Sequence, residues 1–552
     1  MNKKLKIACL QVKVREYKDR NKIKENILRM IDKAGEEHPQ LIVLPEAVYP
    51  AYYLSPLIVK NPEEFYQSTL KLIEQVKKRA KKYKCYIAIG IVENNFSEKK
   101  LYNSALLISP EGKEIACSRK SFLWHFDSKW FSAGDKYPVV ETEFGKVGIF
   151  ICADGRLPEI SRSLSLKGAD ILIDLTNWVT SGFKEEELTN PQVEYMMPTR
   201  ALENRVWIVA ANKVGMEAKS ILYCGKSAVF TPQGKIAKIA SSHKEEILFY
   251  EISPREAKNK TVDNKIDMIQ GRKPKLYSEL VQPTENLPIY SIMKEKLFPQ
   301  NLSPVTAIIQ MEIENNFKKY LDKIEFFINN LIEQDAELII FPENNIIFSE
   351  RGEEIIDRVC QMTQDSKIIC ALTVIEKSTQ KYYKTTFLLE SGKILGSYRK
   401  THLEKDERDL LTPGNLGLPV FKTSYGYLGI MLGYEGLFPE IARTLTLKGA
   451  DIIIWPSRFT DDKQINIGRS RSAENKIFVA CSNSLSPQGG GYSLISSPSG
   501  KILTSCLGNT EQSCMSPLCL LLSRNKNIVP HTNAILNRKP DSYQILVQEK
   551  GK

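Results

Sequence analysis

The sequence predicts an α/β protein built as two layered units in tandem, and three observations carry that expectation. Strand-like and helix-like segments alternate along the chain, the alternation is written twice, and 552 residues exceeds one ordinary core but fits two of about 250 each. The duplication is plainest where Leu164 to Ile173 reads LSLKGADILI and Leu445 to Ile454 reads LTLKGADIII, eight of ten positions identical at a separation of 281 residues. Just upstream, Gly148 to Glu159 (GIFICADGRLPE) aligns without a gap on Gly429 to Glu440 (GIMLGYEGLFPE), which sets Cys152 opposite Gly433.

Taken in order, Leu5 to Val12 is the first core strand. An amphipathic helix with apolar positions Ile23, Ile27, Met30 and Ile31 follows, then a buried strand, Leu41 to Leu44, that ends in Pro45-Glu46. A second helix near Pro62 to Lys82 precedes the strand Tyr86 to Val92. The hairpin Tyr102 to Arg119 turns at Ser109-Pro110-Glu111-Gly112 and ends in Arg119-Lys120. The second copy repeats this with Thr306 to Gln310, a helix near Phe317 to Ile332, Leu338 to Phe341 before Pro342-Glu343, and a hairpin from Tyr383 to Arg399 that turns at Glu390-Ser391-Gly392 and meets Lys400. Arg200 to Asn212 (RALENRVWIVAAN) matches Arg471 to Asn483 (RSAENKIFVACSN), a helix end feeding a buried strand. The tails match too, Gly271 to Gln282 against Asn537 to Gln548. The repeat therefore sets one domain at residues 1–285 and another at 304–552, with the proline-bearing, aperiodic stretch 286–303 as linker.

Composition narrows the function. A net charge of +12 is spread over the chain with no basic run interleaved with aromatics, so it reads as a solvated surface rather than a nucleic-acid site. Eleven cysteines at irregular spacing argue against a disulfide framework and for a reducing, cytoplasmic setting; no CxxC or Cys/His cluster has zinc spacing. The apolar stretch at the start is too short for a secretory or spanning segment. Cys9, Cys85, Cys117, Cys224, Cys370 and Cys481 lie in apolar strand patterns and are expected in the core. No cofactor is expected.

Three residues in the first copy carry chemistry together. Glu46 follows a proline at a buried strand end, Lys120 ends a hairpin strand, and Cys152 sits at a strand-to-turn corner. Carboxylate, ammonium and thiol can converge at one sheet edge. Glu46 can take the thiol proton, Lys120 can favour thiolate and oxyanion, and the Ala153 N–H can add a donor, which suffices for acyl transfer without histidine. Tyr52, Tyr53, Trp124 and Trp178 are candidates for the substrate pocket, and the loops 49–57, 124–129 and 178–187 for its rim.

These residues resemble the nitrilase, or carbon-nitrogen hydrolase, superfamily, through Leu44-Pro45-Glu46, Ser118-Arg119-Lys120 with Leu123-Trp124, Phe131-x-x-Gly134, and Cys152-x-Asp154-x-x-x-Pro158-Glu159. The resemblance spans the first copy and, less the cysteine, the second. It implies two αββα sandwiches packed as an intramolecular pseudo-dimer, with further homo-oligomerisation open. It also implies a Glu-Lys-Cys triad at Glu46, Lys120 and Cys152 and a thioester intermediate. Many members carry a second glutamate seven residues after the lysine; here Asp127, one methylene shorter, takes that place as a candidate accessory acid, while the second copy keeps Glu407. Glu343, Lys400, Glu407 and Gly433 then form a degenerate site whose charges satisfy one another. In such families aspartate at the place of Asp154 tilts the reading toward amides, as does Trp124, whereas Pro45-Glu46-Ala47 and Tyr49-Pro50-Ala51-Tyr52 look nitrilase-like. The expected reaction is hydrolysis of a small linear amide or N-carbamoyl amine. Nitrile hydrolysis by the same triad and a non-catalytic binding protein are the alternatives.

Overall fold

A computed structural model describes residues 4–54, 62–295, 303–344 and 351–549. Residues 55–57 of the first candidate rim loop and 296–302 of the expected linker lie outside the described residues. The chain divides into two compact units, Met1–Lys260 with Val529–Thr532, and Thr261–Ile528 with Asn533–Lys552.

Each unit holds two main sheets with helices on their outer faces. In the first unit, Arg20–Gly35 buries Ile23, Ile27, Met30, Ile31 and Ala34, and Pro62–Tyr83 buries Phe65, Leu72, Ile73, Val76 and Ala80. That spacing makes one apolar stripe per helix, and both stripes pack on the alternating apolar side chains of the first sheet. The sheet runs Glu114–Arg119, Lys100–Ile108, Tyr86–Asn95, Leu41–Val43, Leu5–Lys13, with Glu246–Ile252 antiparallel to the last. The second sheet runs Val139–Thr142, Gly145–Ile151, Ile171–Leu175, Trp207–Ala211, Ala228–Phe230, Ile236–Ile239. Its central strands are parallel and mostly buried, so apart from Lys146 and Asp174 they read as apolar runs.

The second unit repeats both orders. Lys393–Arg399, Lys381–Glu390, Ile369–Ser378, Leu338–Ile340, Val305–Gln310 and Gln512–Pro517 form one sheet; Val420–Thr423, Gly426–Ile430, Ile452–Ser457, Phe478–Asn483, Leu494–Ser496 and Ile502–Ser505 form the other. The expected α/β fold with two sandwich-type units is thus observed. The described helices include none long and apolar enough to cross a membrane.

Two features differ from the linear reading. Residues 261–285, the end of the first repeat, belong to the second compact unit, where Arg272 reaches Glu440 at 2.7 Å and Tyr277 Oη meets His402 Nε2 at 2.6 Å. The stretch read as linker begins with a helix, Pro288–Ile292, that buries Ile289 and Ile292. Cys9, Cys85, Cys224, Cys370 and Cys481 are buried, but Cys117 is exposed. Strand alternation turns its neighbour Ser118 inward, leaving Cys117 on the outer face of an end strand.

Candidate active site

Three strand ends place the first-copy residues. Glu46 follows the strand Leu41–Val43, and Lys120 follows Glu114–Arg119 with its N–H donating to Asn103 O at 2.8 Å. The Lys120 carbonyl accepts the Gly134 N–H at 2.8 Å, and a Cβ on Gly134 would stand 2.3 Å from Arg119 O. Only glycine permits that approach, which explains the Phe131-x-x-Gly134 pattern. Cys152 opens the tight turn Cys152–Arg156 with φ of +48°, a left-handed corner that sets its side chain off the end of Gly145–Ile151.

Asp154 joins the cysteine turn to the lysine strand end. Its Oδ1 accepts from the N–H groups of Ser121 (3.0 Å) and Phe122 (2.8 Å) and from Ser121 Oγ (2.9 Å), while Oδ2 accepts from Ile151 N (3.2 Å). Burial pushes this carboxyl up to about 6 against those hydrogen bonds. Its bonds are to the fold, so it orders the turn.

The charges meet inside. Lys120 Nζ lies 2.8 Å from Glu46 Oε1 and 2.7 Å from Asp127 Oδ2, with all three side chains fully buried. Asp127 therefore reaches the lysine despite its shorter side chain, and it is held there by Tyr52 Oη at 2.7 Å and Trp124 N at 2.9 Å. Burial opposes charge on Lys120, yet Asp127 and Glu46 hold its pKa well above the ordinary lysine value. Glu46 Oε1 also accepts from Asn103 Nδ2 at 2.6 Å, and its Oε2 is buried without a hydrogen-bond partner.

Burial, reinforced by Glu46 and Asp174 and offset by Lys120 and the Thr176 hydroxyl, pushes the Cys152 thiol well above the ordinary cysteine range. The free protein should therefore hold Cys152 as a neutral thiol at pH 7. Iodoacetamide labelling of the Cys152 peptide is expected to be slow at neutral pH and to accelerate only above about pH 9, beyond the unperturbed cysteine value. A labelling rate already at its plateau at pH 7 would contradict this.

The aromatic candidates separate. Tyr52 is buried and bonded to Asp127, whereas Tyr53 is more exposed and packs edge-on against Phe126 and Trp130 at 6.3 and 5.2 Å. Arg156 lies 4.7 Å over the Trp124 ring, and Trp178 is buried with its indole Nε1 unpartnered. Ala153 is buried in the same turn as Cys152.

Several residues were not evident from the pattern. Asp174 Oδ1 accepts the Cys152 N–H at 2.8 Å; burial, with Glu46 and Asp154 nearby, pushes its carboxyl well above the carboxylate range despite that bond. Gln192 Nε2 donates to Cys152 O at 2.9 Å, and Lys213 Nζ donates to Ala47 O at 2.9 Å. Burial brings Lys213 below the ordinary lysine value, against the pull of Glu217 and Glu46. Glu217 accepts the N–H groups of Tyr52 and Tyr53, both at 3.0 Å. Thr532, 407 residues downstream of His125, accepts its N–H at 2.7 Å and donates to Leu123 O at 3.1 Å, bracketing Trp124. A lysine or glutamate interrupting an otherwise apolar strand, as in Lys213-Val214-Gly215-Met216-Glu217, is the one local signal available for Lys213 and Glu217.

The second copy fills the equivalent place with ion pairs. Lys400 Nζ contacts Glu343 (2.9 Å), Glu404 (2.9 Å) and Glu407 (3.0 Å); Lys384 contacts Glu343 at 2.8 Å and also Glu407; Arg458 contacts Glu404 at 2.9 Å. Counted along the repeat, Lys384, Glu404 and Arg458 replace Asn103, Trp124 and Asn177. Burial favours a neutral Glu343, but Lys384, Lys400 and Arg458 hold its carboxyl below the usual range. The Glu343, Glu404 and Glu407 oxygens lie within 4.8 Å of one another, a spacing a metal could use, yet each already faces a buried cation. Beside Lys384, Glu407 and Arg458 is a cavity of about 140 Å³.

Gly433 keeps the corner, with φ of +50°, but a Cβ there would stand 2.4 Å from Glu343 Oε2 and 3.0 Å from Lys400 Nζ. Gly433→Cys is accordingly expected to lower stability, by about 1–3 kcal/mol as for an overpacked core, and to create no hydrolysis above background in a Cys152→Ala chain. Urea unfolding and ammonia release would check both halves of that expectation.

Comparison with known proteins follows the same division. Residues 6–259 and 305–518 each match the family described as "Carbon-nitrogen hydrolase". The chain is 30% identical over 287 residues to a probable nitrilase of Schizosaccharomyces pombe, covering 51% of this chain and 100% of that one. It is 31% identical over 255 residues to a nitrilase of Pyrococcus abyssi (45% of this chain, 90% of that one). It is 28% identical over 271 residues to an omega-amidase of Saccharomyces cerevisiae (46% and 89%).

Proposed function

The chain belongs to the carbon-nitrogen hydrolase family in both of its repeats, and from that premise we propose that the first unit hydrolyses a small linear amide or N-carbamoyl amine through a thioester on Cys152. In the proposed cycle Glu46 accepts the thiol proton as sulfur attacks the carbonyl carbon. Lys120, kept charged by Glu46 and Asp127, and the Ala153 N–H stabilise the oxyanion. Glu46 then protonates the departing nitrogen, ammonia or an amine leaves, and water activated by Glu46 releases the acid. A neutral resting thiol fits this scheme, because proton removal is then coupled to attack.

One observation favours amides over nitriles. Asn103 Oδ1 and both polar atoms of Asn177 are buried without hydrogen-bond partners, and the second copy has ion-paired Lys384 and Arg458 where those two asparagines stand; Glu46 Oε2 is unpartnered too, but so is Glu343 Oε2. Buried polar groups are rarely left unpaired, and the asparagine oxygens suit a ligand that brings N–H donors, while Asn177 Nδ2 suits an acceptor on it. A primary amide or ureido group has N–H donors; a nitrile does not. The second reading, a nitrilase, is favoured by the names of two relatives.

The second unit, with Gly433 and its closed ion-pair cluster, is proposed to support the first rather than catalyse. The decisive assay is ammonia release over matched amides, N-carbamoyl amines and nitriles of one carbon skeleton. Amide or carbamoyl turnover well above nitrile turnover is expected. A preference for nitriles selects the second reading, and no turnover of any class favours the binding-protein alternative.

A further inference from the structure

Two cysteines far along the chain are brought together by the fold of the second unit. Cys506 follows Ile502–Ser505, the last strand of one sheet, and Cys514 lies within Gln512–Pro517, the last strand of the other. Their sulfurs are 3.4 Å apart, Cys506 buried and Cys514 half-buried. The backbone around them is fixed. Cys506 N–H donates to Ser493 O at 2.8 Å, Cys514 is in register with Ile308, and Gln310 Nε2 ties the intervening loop through Leu507 O (2.6 Å) and Thr510 O (2.7 Å).

The first copy has the same backbone and neither thiol. At a constant offset of 266 residues, Ala240 stands for Cys506 and Leu248 for Cys514, and Ala240 N–H makes the matching 2.8 Å bond to Ser227 O. Gln11 ties that loop through Ser241 O (2.8 Å) and Lys244 O (2.9 Å). Both sulfurs are thus particular to the second copy, at two positions that face each other across a loop held at both ends.

We infer that Cys506 and Cys514 are a peroxide-oxidisable dithiol whose disulfide staples the two sheets of the second unit. A disulfide needs sulfurs about 2.05 Å apart, and these two already stand at 3.4 Å. The hydrogen bond from Cys506 lowers the Cys514 pKa and makes Cys514 the thiol of the pair that ionises more readily. Cys514 sulfur attacks a peroxide oxygen, the O–O bond breaks, and Cys514 becomes a sulfenic acid while the departing hydroxide takes the Cys506 proton. Cys506 sulfur then attacks Cys514 sulfur, the S–O bond breaks, and the departing hydroxide takes up the proton that Cys514 released on ionising and leaves as water. Two thiols and one peroxide give one disulfide and two waters.

The test exposes the full chain to hydrogen peroxide, alkylates remaining thiols under denaturing conditions, and cleaves after Lys501, Glu511 and Arg524. These cuts place Cys506 and Cys514 on separate fragments, 502–511 and 512–524, the second also carrying Cys519. The expected result is the two fragments joined by a disulfide in the native chain and in Cys519→Ser, and separate in Cys506→Ser and Cys514→Ser. The melting temperature of the oxidised chain should rise by about 5 °C over the reduced one and fall back with dithiothreitol. Free, alkylated Cys506 and Cys514 after peroxide, a bond to Cys519 instead, or an unchanged melting temperature would each overturn the inference.

Discussion

Cys152→Ala should abolish turnover and leave the fold intact. The substitution removes one sulfur atom and keeps the Cβ, so the +48° corner, the bond from Cys152 N–H to Asp174 and the bond from Gln192 to the carbonyl all remain. The alanine methyl offers no lone pair to attack a carbonyl carbon. The expected loss is about 10⁵-fold to 10⁶-fold, the scale seen when a nucleophile is taken from a group of residues acting as a unit. Two measurements check it: ammonia release by the variant beside its unfolding curve, and an acid-quenched wild-type reaction searched for an acyl group on the Cys152 peptide. Near-normal activity in the variant, or an acyl group on another cysteine, would refute the proposed thioester.

Glu46 and Lys120 should fail in different ways, and the difference tests the assignment of roles. Glu46→Gln keeps size and hydrogen bonding to Asn103 and Lys120 but cannot accept a proton. Single-turnover acylation is expected to fall by about 10²-fold to 10⁴-fold with little change in stability, since Lys120 keeps Asp127 at 2.7 Å. Lys120→Ala should instead damage both properties. Removing this cation takes away the proposed oxyanion donor, about 10²-fold to 10³-fold in rate, and leaves Glu46 and Asp127 buried without the ammonium that pairs with both. Breaking a buried pair in this way costs about 3–5 kcal/mol. Rapid-quench kinetics and urea unfolding, run on both variants, should therefore show a rate-only defect for Glu46→Gln and a combined one for Lys120→Ala. Equal destabilisation, or wild-type acylation in Glu46→Gln, would break the account.

Most of the architecture was legible because the chain repeats itself. A proline-glutamate after a buried run marks a strand end without any structure, and finding it at Glu46 and again at Glu343 gives both sheet edges at once. Periodicity likewise gave the helices at 20–35 and 62–83, since an apolar stripe has one stable use. The face of an end strand was less legible: Cys117 sits among apolar neighbours in the sequence and turns outward in the fold.

By itself, then, the sequence determined the duplication, the α/β class, the three candidate residues and the glycine opposite the cysteine, because each is a local or repeated pattern of residue types. Only the tertiary structure decided which charges meet. Asp127 reaches Lys120, Lys384 and Arg458 join the second cluster, and Thr532 brackets Trp124 from 407 residues beyond His125. The same holds for the two compact units, whose division assigns residues 261–285 to the second and 529–532 to the first, which no repeat boundary marks. The physical reason is common to all of these. Periodicity and turn chemistry act over a few residues and are written in order, whereas a buried charge takes the nearest counter-charge in space, and that distance exists only after the strand ends have been brought together.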